Sequence, residues 1–123
     1  MYKLTVQFNF SAAHRLRDYP GKCSHLHGHN YCVEVMVAGA ALDENGMLVD
    51  FGRLKEIGAE VIAELDHTLL NDHPFFQQRN PTTENIARYI YVETNQRLGG
   101  VQAKLEAVRV WESATSSATY TED

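Results

Sequence analysis

Two stretches of strict alternation constrain this chain more than any other feature. In "YKLTVQFNFSAAH", residues Tyr2, Leu4, Val6, Phe8, Phe10 and Ala12 fall on one side, and Lys3, Thr5, Gln7, Asn9 and Ser11 on the other. In "HGHNYCVEVMV", His27, His29, Tyr31, Val33, Val35 and Val37 share one side. A period of two with one apolar face predicts half-buried strands, which must pack that face against another layer. If the period holds, His14 ends the apolar face of the first strand. His27 and His29 point the same way as the valines of the second, and Cys32 faces the other way.

The remaining elements follow from local signals. "DYPGKCS" reads as a loop from its Pro-Gly pair, and "DENG" as a turn. "DFGRLKEIGAEVIAEL" predicts a helix with Asp50 as N-cap and Leu54, Ile57, Val61, Ile62 and Leu65 on one stripe. "NPTTENIARYIYVETNQRL" predicts a second, with a threonine cap and Glu84 in the first turn, ended by Gly99 and Gly100. "AKLEAVRVWES" predicts a strand with Val108, Val110 and Glu112 on one face, and the tail adds a last short strand. The fold class expected is α+β, an antiparallel sheet with both helices on one face.

Size and charge narrow the function. The 123 residues suffice for one domain and one modest core. A net charge of −5 argues against a general nucleic-acid binder. No apolar run of about 18 residues predicts a membrane span. The alternating N-terminal segment is a strand and not a signal peptide, so the cytoplasm is the expected compartment. Two cysteines are too few for a disulfide framework. Arg15, Arg17 and Lys22 form a local basic group that either receives an anionic small molecule or is an ordinary solvated loop.

The chemistry gathers in "KCSHLHGHNYCV". On a strand, His27 and His29 lie on one side with backbones about 7 Å apart, so their imidazoles can converge on one ion. His14 supplies a third nitrogen if the two strands pair. Three neutral nitrogens with one open position describe a catalytic zinc site. His25 has the same parity and competes as a ligand. An H-x-H pair also occurs in cupin-like iron sites, and histidines without metal are the plain alternative. Cys32 reads as a small packing residue. Cys23, beside Lys22, reads as a fourth ligand, a nucleophile, a base or a silent thiol. Asp66 and His67 fit an oriented acid–base pair or an ordinary helix end. A partly buried Glu112 needs a cation or a donor such as an amidine-like N–H pair.

Five motifs in order, "FSAAHRL", "CSHLHGHNY", "LDHTLLND", "NPTTENIARYI" and "VWESATSSATY", carry a resemblance covering about Phe8 to Tyr120. The chain resembles the 6-pyruvoyl-tetrahydropterin synthase family. The short "C-x-x-x-H-G-H" is similar to the bacterial 6-carboxy-tetrahydropterin synthase branch of queuosine biosynthesis. The resemblance implies a tunnelling fold, a single domain over 1–123 with a four-stranded antiparallel sheet and two helices on one face. It implies trimers stacked into a homohexamer with active sites between subunits. It implies zinc (Zn2+) on His14, His27 and His29, with His25 unused. Cys23 is implied as the catalytic cysteine. Asp66 and His67 match an acid–base pair supplied by a neighbouring subunit, Glu112 the pterin anchor, and Thr82 and Thr83 a pocket wall. The implied reaction converts 7,8-dihydroneopterin triphosphate to 6-carboxy-tetrahydropterin, acetaldehyde and triphosphate. A pyruvoyl-forming lyase and a non-catalytic pterin- or zinc-binding module are the alternatives.

Overall fold

The two alternating stretches pair with each other along their whole length. In a computed structural model that describes residues 1–99 and 102–123, strand β1 (Tyr2–His14) runs antiparallel to β2 (His27–Gly39). Their register runs from Tyr2 opposite Gly39 to His14 opposite His27. Helix α1 (Phe51–Ala63) follows, then a two-residue strand β3 (Thr68–Leu69), helix α2 (Thr83–Arg97), β4 (Lys104–Ser113) and β5 (Ser116–Tyr120). The sheet order is β3-β1-β2-β4-β5.

All strand pairs are antiparallel except β3, which runs parallel to β1 through Ala12–Thr68 and Ala13–Leu69. The four expected strands and the α+β class are present, and β3 is an addition. It is too short for any periodicity to show.

The apolar faces settle as the alternation requires. Val6, Phe10, Ala12, Tyr31, Val33, Val35 and Val37 are buried, as are Leu54, Ile57, Val61, Ile62 and Leu65 from α1. Each large aliphatic side chain so buried contributes about 1.5–3 kcal/mol. The Asp50 carboxylate accepts the Gly52 N–H at 3.2 Å, and the Thr82 hydroxyl accepts the Asn85 N–H at 3.2 Å, so each helix starts at the expected cap. Arg97 in the last turn of α2 complements Glu84 in the first. Of the two glycines expected to end α2, Gly100 lies outside the described residues.

The sheet's other face is polar. Cys32 lies there, half-buried and opposite Trp111. The Trp111 indole N–H donates to Glu34 at 2.7 Å, and the Arg109 guanidinium lies 4.2 Å above the indole ring. No helix among the described residues is long and apolar enough to cross a membrane.

Helix α1 approaches β1 so closely that a Cβ on Gly58 would overlap the Phe8 ring. Gly58→Ala gains about 1 kcal/mol of helix propensity and costs about 1–3 kcal/mol in overpacking. We expect a lower urea midpoint for Gly58→Ala and a higher one when Phe8→Leu makes room. A stabilised single variant would show that α1 and β1 do not pack this way.

Candidate metal centre and active site

The register places the three histidines together at one end of the sheet. His14 sits directly opposite His27, and His29 opposite Ala12, all on the face that carries the core. The imidazole centroids stand 4.6 Å (His14 to His27), 5.1 Å (His14 to His29) and 4.8 Å (His27 to His29) apart. Tyr31, stacked on Phe10 at 4.7 Å, presents its ring to His14 and His29 and closes the cluster toward the core.

The tautomers follow from carbonyl partners, which can only accept. The Nδ1–H of His14 donates to the Pro81 carbonyl at 2.7 Å, and that of His27 to the His25 carbonyl at 2.7 Å. Each Nε2 is then a bare lone pair, and these two nitrogens face each other at 3.1 Å. His29 Nε2 is buried without a hydrogen-bond partner. A Glu112 oxygen stands 2.8 Å from it but off the N–H direction, so the contact is not a hydrogen bond.

The Nε2 atoms of His14 and His27 face each other with no proton between them and repel unless a cation lies nearby, and all four candidate ligand atoms, those of His29 and Glu112 included, lie within 4.8 Å of one another. Ligands at about 2.0–2.1 Å around a tetrahedral zinc stand about 3.3 Å apart, close to the spacing seen. Burial holds the His14 pKa below its ordinary 6.5, which keeps the ring in the neutral, metal-binding form. The donor set fits a divalent metal.

His25 is outside this cluster and exposed; its contribution is the backbone carbonyl that orients His27. Partner groups of this kind fix the ring of a metal-bound histidine.

Glu112 joins the metal cluster to a cavity of about 300 Å3. The cavity is lined by His14, Cys23, Asn80, Thr82, Thr83 and Glu112, with Leu16, Tyr19 and Glu84. The β4–β5 register shifts between Trp111 and Ser113, so Glu112 stands at an irregularity that frees it from the ladder. Its second carboxylate oxygen accepts the Thr83 hydroxyl at 2.9 Å. Thr82, expected as a pocket wall, both lines the cavity and caps α2. Cys23 is held through its carbonyl, which accepts the Leu16 N–H at 2.8 Å.

Asp66 and His67 form a pair, Nδ1 to Oδ1 at 2.9 Å, but not in this cavity. They follow α1 at the edge of β1. The Ser11 N–H donates to Asp66 at 2.9 Å, and the His67 N–H to the Ser11 carbonyl at 2.6 Å. His67 adopts a positive φ of 58° and leaves its ring 82% exposed. Left-handed backbone at a non-glycine residue is costly and gathers at functional positions. His67 lines a separate, larger cavity of about 530 Å3 beside Ser11 and the backbone around His29. The two cavities share no lining residue, and the larger one spans the paired ends of β1 and β2 beside β3.

One end of the Arg17 side chain, Nη2, is engaged by backbone carbonyls, those of Phe76 and Arg79. Sequence reasoning missed Asn80 and Pro81, although "NPTT" was visible: a proline carbonyl acting on a histidine 67 residues away leaves no local signal.

The chain matches the model of the 6-pyruvoyl tetrahydropterin synthase family over residues 3–123. It is 40% identical to the 6-carboxy-5,6,7,8-tetrahydropterin synthase of Bacillus subtilis, over 97% of this chain and 84% of that protein. It is 38% identical to the enzyme of the same name from Synechocystis, over 98% and 93%. The solved structure of Caenorhabditis elegans 6-pyruvoyl tetrahydropterin synthase superposes with a TM-score of 0.90 at 29% identity, covering 99% of this chain and 96% of that one. The Plasmodium falciparum 6-pyruvoyl tetrahydropterin synthase, 23% identical with a TM-score of 0.79 over 98% and 97%, shares the fold.

Two outcomes are expected. His14→Ala, His27→Ala and His29→Ala lose bound metal, whereas His25→Ala keeps about one ion per chain by elemental analysis; the reverse pattern for His25 and His14 rejects the ligand set. The second concerns Asp66. The Ser11 N–H, aided by His67 and opposed by burial, holds its carboxyl below the ordinary 3.8. A depressed carboxyl stabilises the fold above its unfolded value, and that contribution is lost as pH falls through the lower folded value. The stability gap between wild type and Asp66→Asn in urea titrations should therefore shrink below about pH 4. A gap that grows there contradicts the pairing.

Proposed function

The chain belongs to the 6-pyruvoyl tetrahydropterin synthase family, and on that premise we propose that it is a zinc-dependent 6-carboxy-tetrahydropterin synthase. It would convert 7,8-dihydroneopterin triphosphate and one water, consumed in the carbon–carbon cleavage, to 6-carboxy-tetrahydropterin, acetaldehyde and triphosphate, in the cytoplasm and in queuosine biosynthesis. The observation that carries this reading is the meeting of three converging imidazoles with a cavity that also holds Cys23 and Glu112.

His14, His27 and His29 would hold the zinc, which when bound supplies Lewis acidity toward the hydroxyls of the substrate side chain. The residues of the chain divide the remaining tasks. Glu112, with one oxygen fixed by Thr83, accepts the paired N–H groups of the pterin's amino-pyrimidine edge. Cys23, in the same cavity, moves the proton at the carbon next to the ring. His67, oriented by Asp66, exchanges the other proton.

That pair must come from another chain. β3 covers β1 only at Ala12 and Ala13, so most of β1 is an unpaired edge, and β5 is the opposite edge of the sheet. A cavity shared by Glu112 and Thr83 opens along β5 at Ser116–Thr119. Joining a β1 edge to a neighbour's β5 edge carries Asp66–His67 toward that cavity. The homohexamer of two stacked rings follows this scheme.

The carboxy product is favoured over the pyruvoyl one by relatives such as the Bacillus subtilis protein and by the short interval from Cys23 to His27. The pyruvoyl reading draws support from the Caenorhabditis elegans structure. Mass spectrometry after incubation with 7,8-dihydroneopterin triphosphate separates them: 6-carboxy-tetrahydropterin with acetaldehyde is expected, and a pyruvoyl product without acetaldehyde refutes the choice. Cys23→Ala should keep its metal and lose about 10²-fold or more in kcat. Full activity in that variant removes Cys23 from the mechanism.

A further inference from the structure

Four consecutive residues leaving β1 are each held by a hydrogen bond from another segment, three of them from more than fifty residues away. His14 donates through Nδ1 to the Pro81 carbonyl. Arg15 gives its N–H to the Asn71 carboxamide oxygen, and its carbonyl accepts the Asn71 amide, both at 2.9 Å. Leu16 donates its N–H to the Cys23 carbonyl at 2.8 Å. Arg17 gives its N–H to Asn80 Oδ1 at 2.8 Å, and its carbonyl accepts Asn80 Nδ2 at 3.0 Å.

The two asparagines thus do what a neighbouring strand would do: each pairs both backbone groups of one residue. The Arg17 guanidinium returns the grip by donating to the Phe76 and Arg79 carbonyls just before Asn80. The Asn80 carbonyl in turn accepts the Asn85 amide at 2.9 Å, which ties it to the first turn of α2.

We propose that Asn80 is a positioning residue, whose two-bond clasp on Arg17 holds Cys23 in the cavity beside His14 and Glu112. The clasp acts through Leu16, the one residue between Arg15 and Arg17, whose N–H holds the Cys23 backbone. Pro81 and Thr82, next in the chain, keep their own bonds to His14 and Asn85 without the Asn80 side chain. Removing that side chain therefore loosens the thiol and spares the metal ligands. The effect on turnover rests on the lyase reading above; the effect on the loop does not.

The test is Asn80→Ala in the metal-loaded full chain. Amide hydrogen exchange should rise across residues 15–26 and stay unchanged in the paired part of β1, with metal content retained. In an active enzyme kcat should fall about 10–100-fold, since a shift of about 1 Å costs on this order, while KM moves less than about threefold. Unchanged exchange at 15–26 overturns the proposal, as does unchanged kcat in an active enzyme or a change confined to KM. If the wild type does not turn over dihydroneopterin triphosphate, the lyase reading fails and hydrogen exchange still decides for or against the clasp. Asn80→Asp keeps the acceptor and loses the donor. Should the alanine variant not fold, it must show the same signs at smaller size, and wild-type behaviour in it overturns the clasp.

Discussion

The register between β1 and β2 is the constraint on which the site depends. A slip of one residue would turn His14 and its whole face over while His27 stayed in place. The hydrophobic core forbids that slip. Val6 and Phe10 on β1 and Tyr31, Val33, Val35 and Val37 on β2 are buried together, and a shift would expose one entire set. Each of these side chains is worth about 1.5–3 kcal/mol, against roughly 1–3 kcal/mol for one unpartnered buried imidazole nitrogen. Packing therefore sets the positions, and the histidines accept the crowding that packing imposes. Their mutual repulsion is the feature that a bound cation relieves.

Orientation within that fixed frame comes from main-chain carbonyls. Pro81 and His25 each take the Nδ1–H of one histidine and leave Nε2 bare. A carbonyl is well suited because it never donates, so the tautomer has no alternative. The Asn80–Thr83 segment concentrates this control. Asn80 reaches the Cys23 loop through Arg17, Pro81 sets His14, Thr82 starts α2, and Thr83 fixes one oxygen of Glu112. Proline at the second place removes an N–H that would otherwise need a partner, while keeping the carbonyl that His14 uses.

Periodic features were legible in the sequence, and features that depend on distant pairing were not. Alternation over Tyr2–Ala12 and His27–Val37 predicts both strands, their faces and the direction of His14, His27 and His29. Asp50 and Thr82 predict the helix starts because capping is local. Strand parity could not remove His25, since its place depends on the turn at Lys22–Ser24 that precedes β2. β3 stayed hidden because two residues carry no period and its partner lies some fifty residues back along the chain, at Ala12 and Ala13. The partners of Arg17 were not legible because charge is read locally, whereas its acceptors lie about sixty residues ahead. Glu112 was expected on the face of Val108 and Val110 by parity; the register shift that releases it from β5 has no sequence mark.

The position of Asp66 and His67 bears on how many chains a complete site needs. The cavity that holds Cys23 and the cavity that His67 lines have no residue in common. His67 is tied to Ser11 on the outer edge of β1 by its N–H and to Asp66 by its ring, and these contacts hold it there. The cavity containing Glu112, in contrast, reaches the β5 edge at the far side of the sheet. Under the proposed function, one chain carries complementary halves on opposite edges. In the proposed assembly, a β1-to-β5 contact between copies is head-to-tail. Such contacts either close into a ring or propagate into a filament. Closure satisfies both exposed edges of every subunit, which otherwise invite uncontrolled strand pairing. It also forms one complete acid–base site at each junction, so the number of sites equals the number of chains. A lone subunit would keep its metal ligands and lack the second proton carrier, so under this reading turnover is a property of the ring.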